Sequence, residues 1–255
     1  MDTGRKTAVL KDLRERIHRL ERLESPARHG TLEALPFAIP ALDGLWPEGG
    51  LPTCALHEVN GTGVSGFAAA TAFAAAIAGR LSKPVVWCTT WPDFYAPGLA
   101  QVGLPATRLC VVRARSEKEV LAAMEEALRH AAVGCVIGET PKLNLTTSRR
   151  LQLAAESGAS LAITLRRRKK DAELEPIAAA TRWKVSAAPS SPHRLAHLKA
   201  LPGRGRWTLE LLRSRSGHTG IWNVEVPDAQ GYLHLPSALA DGIEAAPPAR
   251  LRIAG

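Results

Sequence analysis

Leu10, Leu13, Ile17, Leu20 and Leu23 fall at three- and four-residue steps among charged residues, a spacing that predicts an amphipathic helix over residues 9–24. Ser25, Pro26, Gly30 and Thr31 then break the pattern, so a linker separates this helix from the main body of the chain. Its apolar face, with Leu13, Ile17 and Leu20 along it, either packs on its own domain or serves as a handle for a neighbouring subunit. From residue 53 the pattern changes. The apolar run CALHEV precedes FAAATAFAAAIAGR. PVVWC precedes a Pro/Gly-rich turn and a short helix, RLCVVRA precedes a longer helix, and CVIGE and SLAITL come after it. This alternation predicts a mostly parallel sheet with helices on both faces, an α/β fold. Ser116 and Glu119 have the spacing of a capping box, ahead of Val120, Leu121, Met124 and Leu128 on one helical face. The stretch WTLELLRSRSGHTGIWNVEV reads as a closing β-hairpin turning near Gly217 and Gly220. The organisation is thus a helix and linker over residues 1–30, an α/β core over 31–228 and a tail over 229–255.

Composition narrows the function classes. The chain has 255 residues and a formal charge of +9. Between Lys142 and Arg215 there are 16 Lys and Arg against 5 Asp and Glu, so the rest of the chain is close to neutral. Regional positive charge of this kind suits a surface that meets a polyanion, either nucleic acid or a nucleic-acid-bound partner, with a plain solvated face as the alternative. There is no apolar run long enough to span a bilayer, and MDTGRKTAVLKDLRER lacks the apolar stretch of a secretory signal. We therefore expect a soluble, cytoplasmic protein with no membrane partner. Cys54, Cys88, Cys110 and Cys135 are single residues in apolar runs and read as buried free thiols. His193 and His197 stand four apart without a third ligand, so no metal site is expected.

The segment EVNGTGVSGFAAAT contains the one chemically suggestive spacing. Gly61 and Gly66 match the two glycines of G-x-x-x-x-G-K-[ST], whose backbone amides cradle phosphate while Lys and Ser/Thr hold the terminal phosphate and magnesium. Phe67 and Ala68 occupy the Lys and Ser/Thr places. The pair alone carries little weight, but it lies in an ordered series. PALDGLWPEGGLPTCALHEVNG resembles the segment leading a RecA recombinase into its phosphate loop. SEKEVLAAMEEALRHAAVGCVIGET is similar to the RecA helix and strand that end at the Walker-B Asp, with Glu139 at that position. The hairpin resembles the strand pair that closes the RecA core. With DAQGYLHLPSALADG, the whole pattern resembles the ImuA family, RecA-like proteins of a bacterial damage-inducible mutagenesis cassette.

The resemblance implies a RecA-like core whose nucleotide site has degenerated at Gly61, Gly66, Phe67, Ala68, Thr90 and Glu139. Thr90 stands where RecA has its water-activating Glu, and Arg166 or a neighbour stands where RecA senses the γ-phosphate. With phosphate, magnesium and base functions absent together, the expectation is a pseudo-ATPase with no cofactor. The loop after Glu139, carrying Lys142, Arg149 and Arg150, and the run Arg166, Arg167, Arg168, Lys169 and Lys170 occupy places where RecA contacts DNA. Arg213 and Arg215 stand where RecA hairpins carry two Lys that reach a neighbouring subunit. The family implies ImuB as partner, an error-prone C-family polymerase indirectly, and RecA or DNA as further contacts. A weak ATPase and a SulA-like cell-division inhibitor are the competing readings.

Overall fold

A computed structural model of the protein describes residues 34–168, 175–190 and 204–236. The expected N-terminal helix with Leu13, Ile17 and Leu20, the cations Lys169 and Lys170, the pair His193 and His197, and most of the tail lie outside the described residues. Two short strands, β1 (Ala34–Leu35) and β2 (Leu51–Pro52), pair antiparallel around helix α1 (Pro40–Asp43). The main sheet comprises β3 (Leu56–Thr62), β4 (Val85–Thr89), β5 (Leu109–Arg113), β6 (Cys135–Glu139), β7 (Leu161–Arg168), β8 (Thr181–Ala188), β9 (Arg206–Ser214) and β10 (Gly220–Glu225). Its order is β10-β9-β8-β3-β7-β6-β4-β5. From β8 to β5 all neighbours run parallel, while β9 and β10 form the antiparallel hairpin. This is the mostly parallel α/β sheet with a closing hairpin that the alternation predicts, and it is consistent with the RecA-like core that the resemblance implies.

Two apolar layers hold the sheet. On one face α2 (Gly63–Gly79) lies against β3, β7 and β8, with α3 (Ala96–Gln101) beside it. Alanines on α2 let it approach the strands closely. The space left is filled by Phe37, Trp46, Phe73, Trp183 and Trp222, whose ring centroids lie 5.7–6.3 Å apart in successive contacts. On the other face α4 (Glu117–Leu128) and α5 (Leu145–Gly158) bury Val120, Met124, Leu128, Leu151 and Ala155. The Ser116 hydroxyl accepts from the Glu119 amide at 3.3 Å, and Glu119 accepts from the Arg115 amide at 2.9 Å. The capping box thus closes at the expected residues, one amide further back than its simplest form.

Two expectations need correction, and one element is added. Arg149 and Arg150 lie on α5 and not in a loop. Asn144 caps that helix, accepting from the Thr147 amide at 2.8 Å, and Ser148, Leu151, Gln152 and Ala155 form its buried stripe. Cys110 is exposed, because β5 is the edge strand of the sheet and lacks a neighbour on one side among the described residues. Cys88 and Cys135 are buried as expected, and Cys54 is half-buried. β8, which the alternation did not reveal, is central: it carries Trp183 between β3 and the hairpin.

Buried polar residues on β3 are matched by partners on the adjacent strands. His57 is fully buried; its Nε2 lies 2.8 Å from the Pro52 carbonyl and its Nδ1 2.7 Å from Thr181 Oγ1. The carbonyl can only accept, so Nε2 carries the proton and Nδ1 accepts from Thr181. Thr181 Oγ1 in turn accepts the Trp183 indole N–H at 2.8 Å. Burial pushes the His57 pKa down from 6.5 to about 4, which keeps this chain of donors directional at neutral pH.

Candidate functional site

The glycine pair sits at the junction of β3 and α2, and its role is visible in the backbone. β3 continues through Gly61 to Thr62, and α2 begins at Gly63, whose φ of +67° makes the turn that a residue with a side chain takes with difficulty. A Cβ on Gly61 would lie 2.4 Å from the Gly66 carbonyl oxygen and 2.5 Å from the Phe67 Cα. The strand end therefore packs directly on the first turn of the helix. The wide arc of amides expected of a phosphate cradle is taken up into strand and helix, and the first glycine serves close packing.

Phe67 is 6% exposed, with its ring under the Arg167 guanidinium, whose carbon is 3.9 Å from the ring centroid. Arg167 comes from β7 and also bonds Asp93 in the segment after β4. A cation thus stands over the Lys position, but it comes from another strand and is already paired. Ala68 is exposed on the helix. Thr90 is exposed one residue past β4, while the neighbouring Thr89 is buried and its hydroxyl bonds the Trp91 backbone. Glu139 ends β6 half-buried and accepts the Trp87 indole N–H at 2.9 Å. Burial raises its carboxyl above the usual range, against the pull of that indole, and the charge of Asp93 adds to the rise. Among the described residues no group of His, Cys, Asp and Glu could hold a metal ion.

The candidate cations part company. Arg166 is not on the surface: it is 4% exposed and bonds Glu58 at 2.6 Å, and its Nε and Nη2 donate to the Pro141 carbonyl at 3.3 and 2.9 Å. Glu58, on β3 and fully buried, is shared with Arg182 of β8, which also donates to the Glu175 carbonyl at 2.7 Å. Alternation along β7 turns Arg166 inward and Arg167 outward, so the run of cations is not one exposed patch. Lys142, Arg149 and Arg150 are exposed, and Arg150 pairs with Glu125 of α4 at 2.5 Å. Of Arg168 the structure fixes only its place in β7. Arg213 and Arg215 project from the end of β9 and the turn after it. They donate to the carbonyls of Ile177 at 2.9 Å and Ala178 at 3.5 Å, so in this chain they brace the segment before β8.

The sequence reading did not single out Glu58, Arg182, Asp93 or Thr71. Glu58 carried a signal: an acid inside a strand of apolar neighbours needs a buried cation nearby. Asp93 and Thr71 carried none, because their importance depends on a cavity that only the fold creates. That cavity, about 580 Å³, opens between the first half of α2 and the segment from Asp93 to Leu99. Gly63, Val64, Phe67, Ala68, Thr71 and Ala72 form its α2 wall, and Phe94, Tyr95 and Leu99 face them.

Comparison with known proteins supplies the family. No family model matches the chain. Among solved structures, SulA from Pseudomonas aeruginosa aligns with 44% of this chain and 98% of its own, at 22% identity and a TM-score of 0.38. Protein ImuA from Caulobacter vibrioides, strains NA1000 / CB15N and ATCC 19089 / CIP 103742 / CB 15, is 36% identical over 228 residues, which covers 81% of this chain and 90% of that protein. On this identity and coverage, the chain belongs to the ImuA family.

Proposed function

We propose that the chain is a non-catalytic, RecA-like accessory protein of damage-induced mutagenesis, an adaptor that binds ImuB in translesion DNA synthesis. The observation that carries this is Phe67. Its buried ring fills the place of the phosphate-binding Lys, under an arginine already paired with Asp93. The closed packing of Gly61 on Gly66 and the absence of a carboxylate at Thr90 point the same way. Membership of the ImuA family supports ImuB as the partner, with the error-prone C-family polymerase engaged indirectly. RecA and DNA are further contacts. For DNA, Lys142 and Arg149 are the exposed candidate cations without a described acid partner, while Arg168, Lys169 and Lys170 stay candidates from the sequence.

The test has two arms. Purified protein should release no phosphate from ATP above background and should retain ImuB in a pull-down. Steady release that is lost in Glu139→Gln would overturn the non-catalytic reading in favour of a weak ATPase. Failure to retain ImuB would overturn the adaptor reading, and binding to the division protein FtsZ in its place would favour a SulA-like inhibitor. DNA contact is read from affinity against salt, whose logarithmic slope falls by about 0.7 for each single-strand phosphate contact removed. A role for Arg213 and Arg215 at a RecA filament end predicts that substoichiometric protein shortens filaments on single-stranded DNA, and that the double Ala variant does not.

A further inference from the structure

The cavity beside α2 contains a polar atom that the fold leaves without a partner. Thr71 is 8% exposed, it lines the cavity, and its Oγ1 makes no hydrogen bond, not even to the carbonyl one turn back. Buried hydroxyls are nearly always paired, so an unpaired one on a cavity wall points to something that enters the cavity. Most of the wall is apolar. The charged lining groups, Asp93 and Arg167, bond each other, so the site offers no free cation to a phosphate. The apolar surface also continues at the rim of the cavity. Val64 and Tyr95, both lining residues, are 91% and 74% exposed, and beyond them Trp91, two residues before Asp93 and under the Arg113 guanidinium, is 67% exposed. A small metabolite would leave these side chains in water, whereas a protein surface would cover them.

We propose that this cavity receives an aromatic side chain with a hydrogen-bonding edge, Tyr or Trp, from a partner protein, with its polar atom bonded to Thr71 Oγ1. The cavity is larger than one ring needs, since about 150 Å³ holds a benzene, so it admits the anchor together with residues beside it, and an apolar body with one polar tip matches a wall that has one orphan hydroxyl. A hydroxyl both donates and accepts, so it serves a phenol or an indole. The assignment deepens the adaptor reading and rests on it for the chain that brings the anchor.

The experiment titrates the full chain with 4-methylphenol, 3-methylindole and toluene, followed by amide chemical shifts. Both polar analogues should bind in the millimolar range, shift the amides of Thr71, Ala72, Phe94 and Leu99, and bind about five-fold more tightly than toluene. Thr71→Val should bring 4-methylphenol to the level of toluene, and Ala68→Leu combined with Ala72→Leu should abolish binding of all three. The proposal is overturned if none of the three binds, if Thr71→Val leaves the preference intact, or if ATP with magnesium produces the same shifts. In parallel, ImuB is titrated into wild type and the double Leu variant, with a loss of about ten-fold expected in the variant. Equal binding by both overturns the anchor and leaves the adaptor reading standing. No binding by wild type defeats the adaptor reading, while the titration still decides the cavity.

Discussion

Replacing Glu58 with Gln should be among the most damaging conservative changes in this protein. Glu58 is fully buried between Arg166 and Arg182, whose side chains are 5% and 9% exposed. The substitution keeps the shape and one acceptor but removes the only carboxylate shared by the two guanidinium groups. Each arginine retains a carbonyl, Pro141 for Arg166 and Glu175 for Arg182, and neither carbonyl can offset a full charge. Breaking a buried ion pair by removing one partner costs about 3–5 kcal/mol, because the desolvated charge remains. With a urea slope of about 2–3 kcal/mol per molar for a domain of this size, the unfolding midpoint should fall by about 1–2 M. A companion variant isolates the charge effect. Glu58→Leu with Arg166→Met and Arg182→Leu removes all three charges, and the same physics predicts stability near wild type or above it. Equilibrium urea unfolding followed by circular dichroism measures both. If Glu58→Gln lies within about 1 kcal/mol of wild type, the triad is not a closed electrostatic unit and the reasoning is wrong.

Four further outcomes are expected on the same structural grounds. His57 has a folded pKa of about 4 against an ordinary 6.5, so the unfolded chain binds the extra proton first. Stability should therefore be lost as pH falls from 6.5 and level off below about 4, by about 3 kcal/mol in total; urea midpoints independent of pH across this window would refute it. Thr71→Val removes the orphan hydroxyl and should raise stability by about 1 kcal/mol in thermal unfolding, whereas a loss of that size would mean the hydroxyl has a partner. Gly61→Ala drives a methyl group into the Gly66 backbone and should cost about 3 kcal/mol or more, read from the yield of folded protein and its melting temperature. Phe67→Lys places a cation under Arg167 without reopening the junction, so calorimetry should detect no ATP binding; micromolar affinity would show that one residue closed the site.

The sheet and its hairpin were legible because short apolar runs such as CALHEV, PVVWC and SLAITL alternate with helical segments along the chain, the pattern of a βα sheet. The capping box at Ser116 was legible as a local pattern too. β8 was missed although TRWKVSAA carries the polar–apolar alternation of a strand, and only its position between β3 and β9 shows that it is central. α5 was obscured because a resemblance suggested a loop there, while Asn144 and the stripe at Ser148, Leu151, Gln152 and Ala155 encode a helix. The candidate site was half legible. Phe67 and Ala68 could be read from the motif, but the cation over Phe67 comes from a residue 100 positions later. Spacing within one segment cannot reveal that pairing. The run from Arg166 to Lys170 read as one patch because charge was counted along the chain, whereas a strand sends consecutive side chains to opposite faces.

The open edge at β5 has a consequence for the protein at high concentration. Leu109, Cys110, Val111 and Val112 present an apolar strand with one row of backbone amides and carbonyls unpaired among the described residues, and Arg113 is the only charge along it. In the antiparallel register centred on Cys110, two copies meeting along this edge would bring the exposed thiols close enough for air oxidation to make a transient encounter covalent. Keeping the protein reduced, or carrying Cys110→Ser, separates genuine partner binding from self-association caused by storage.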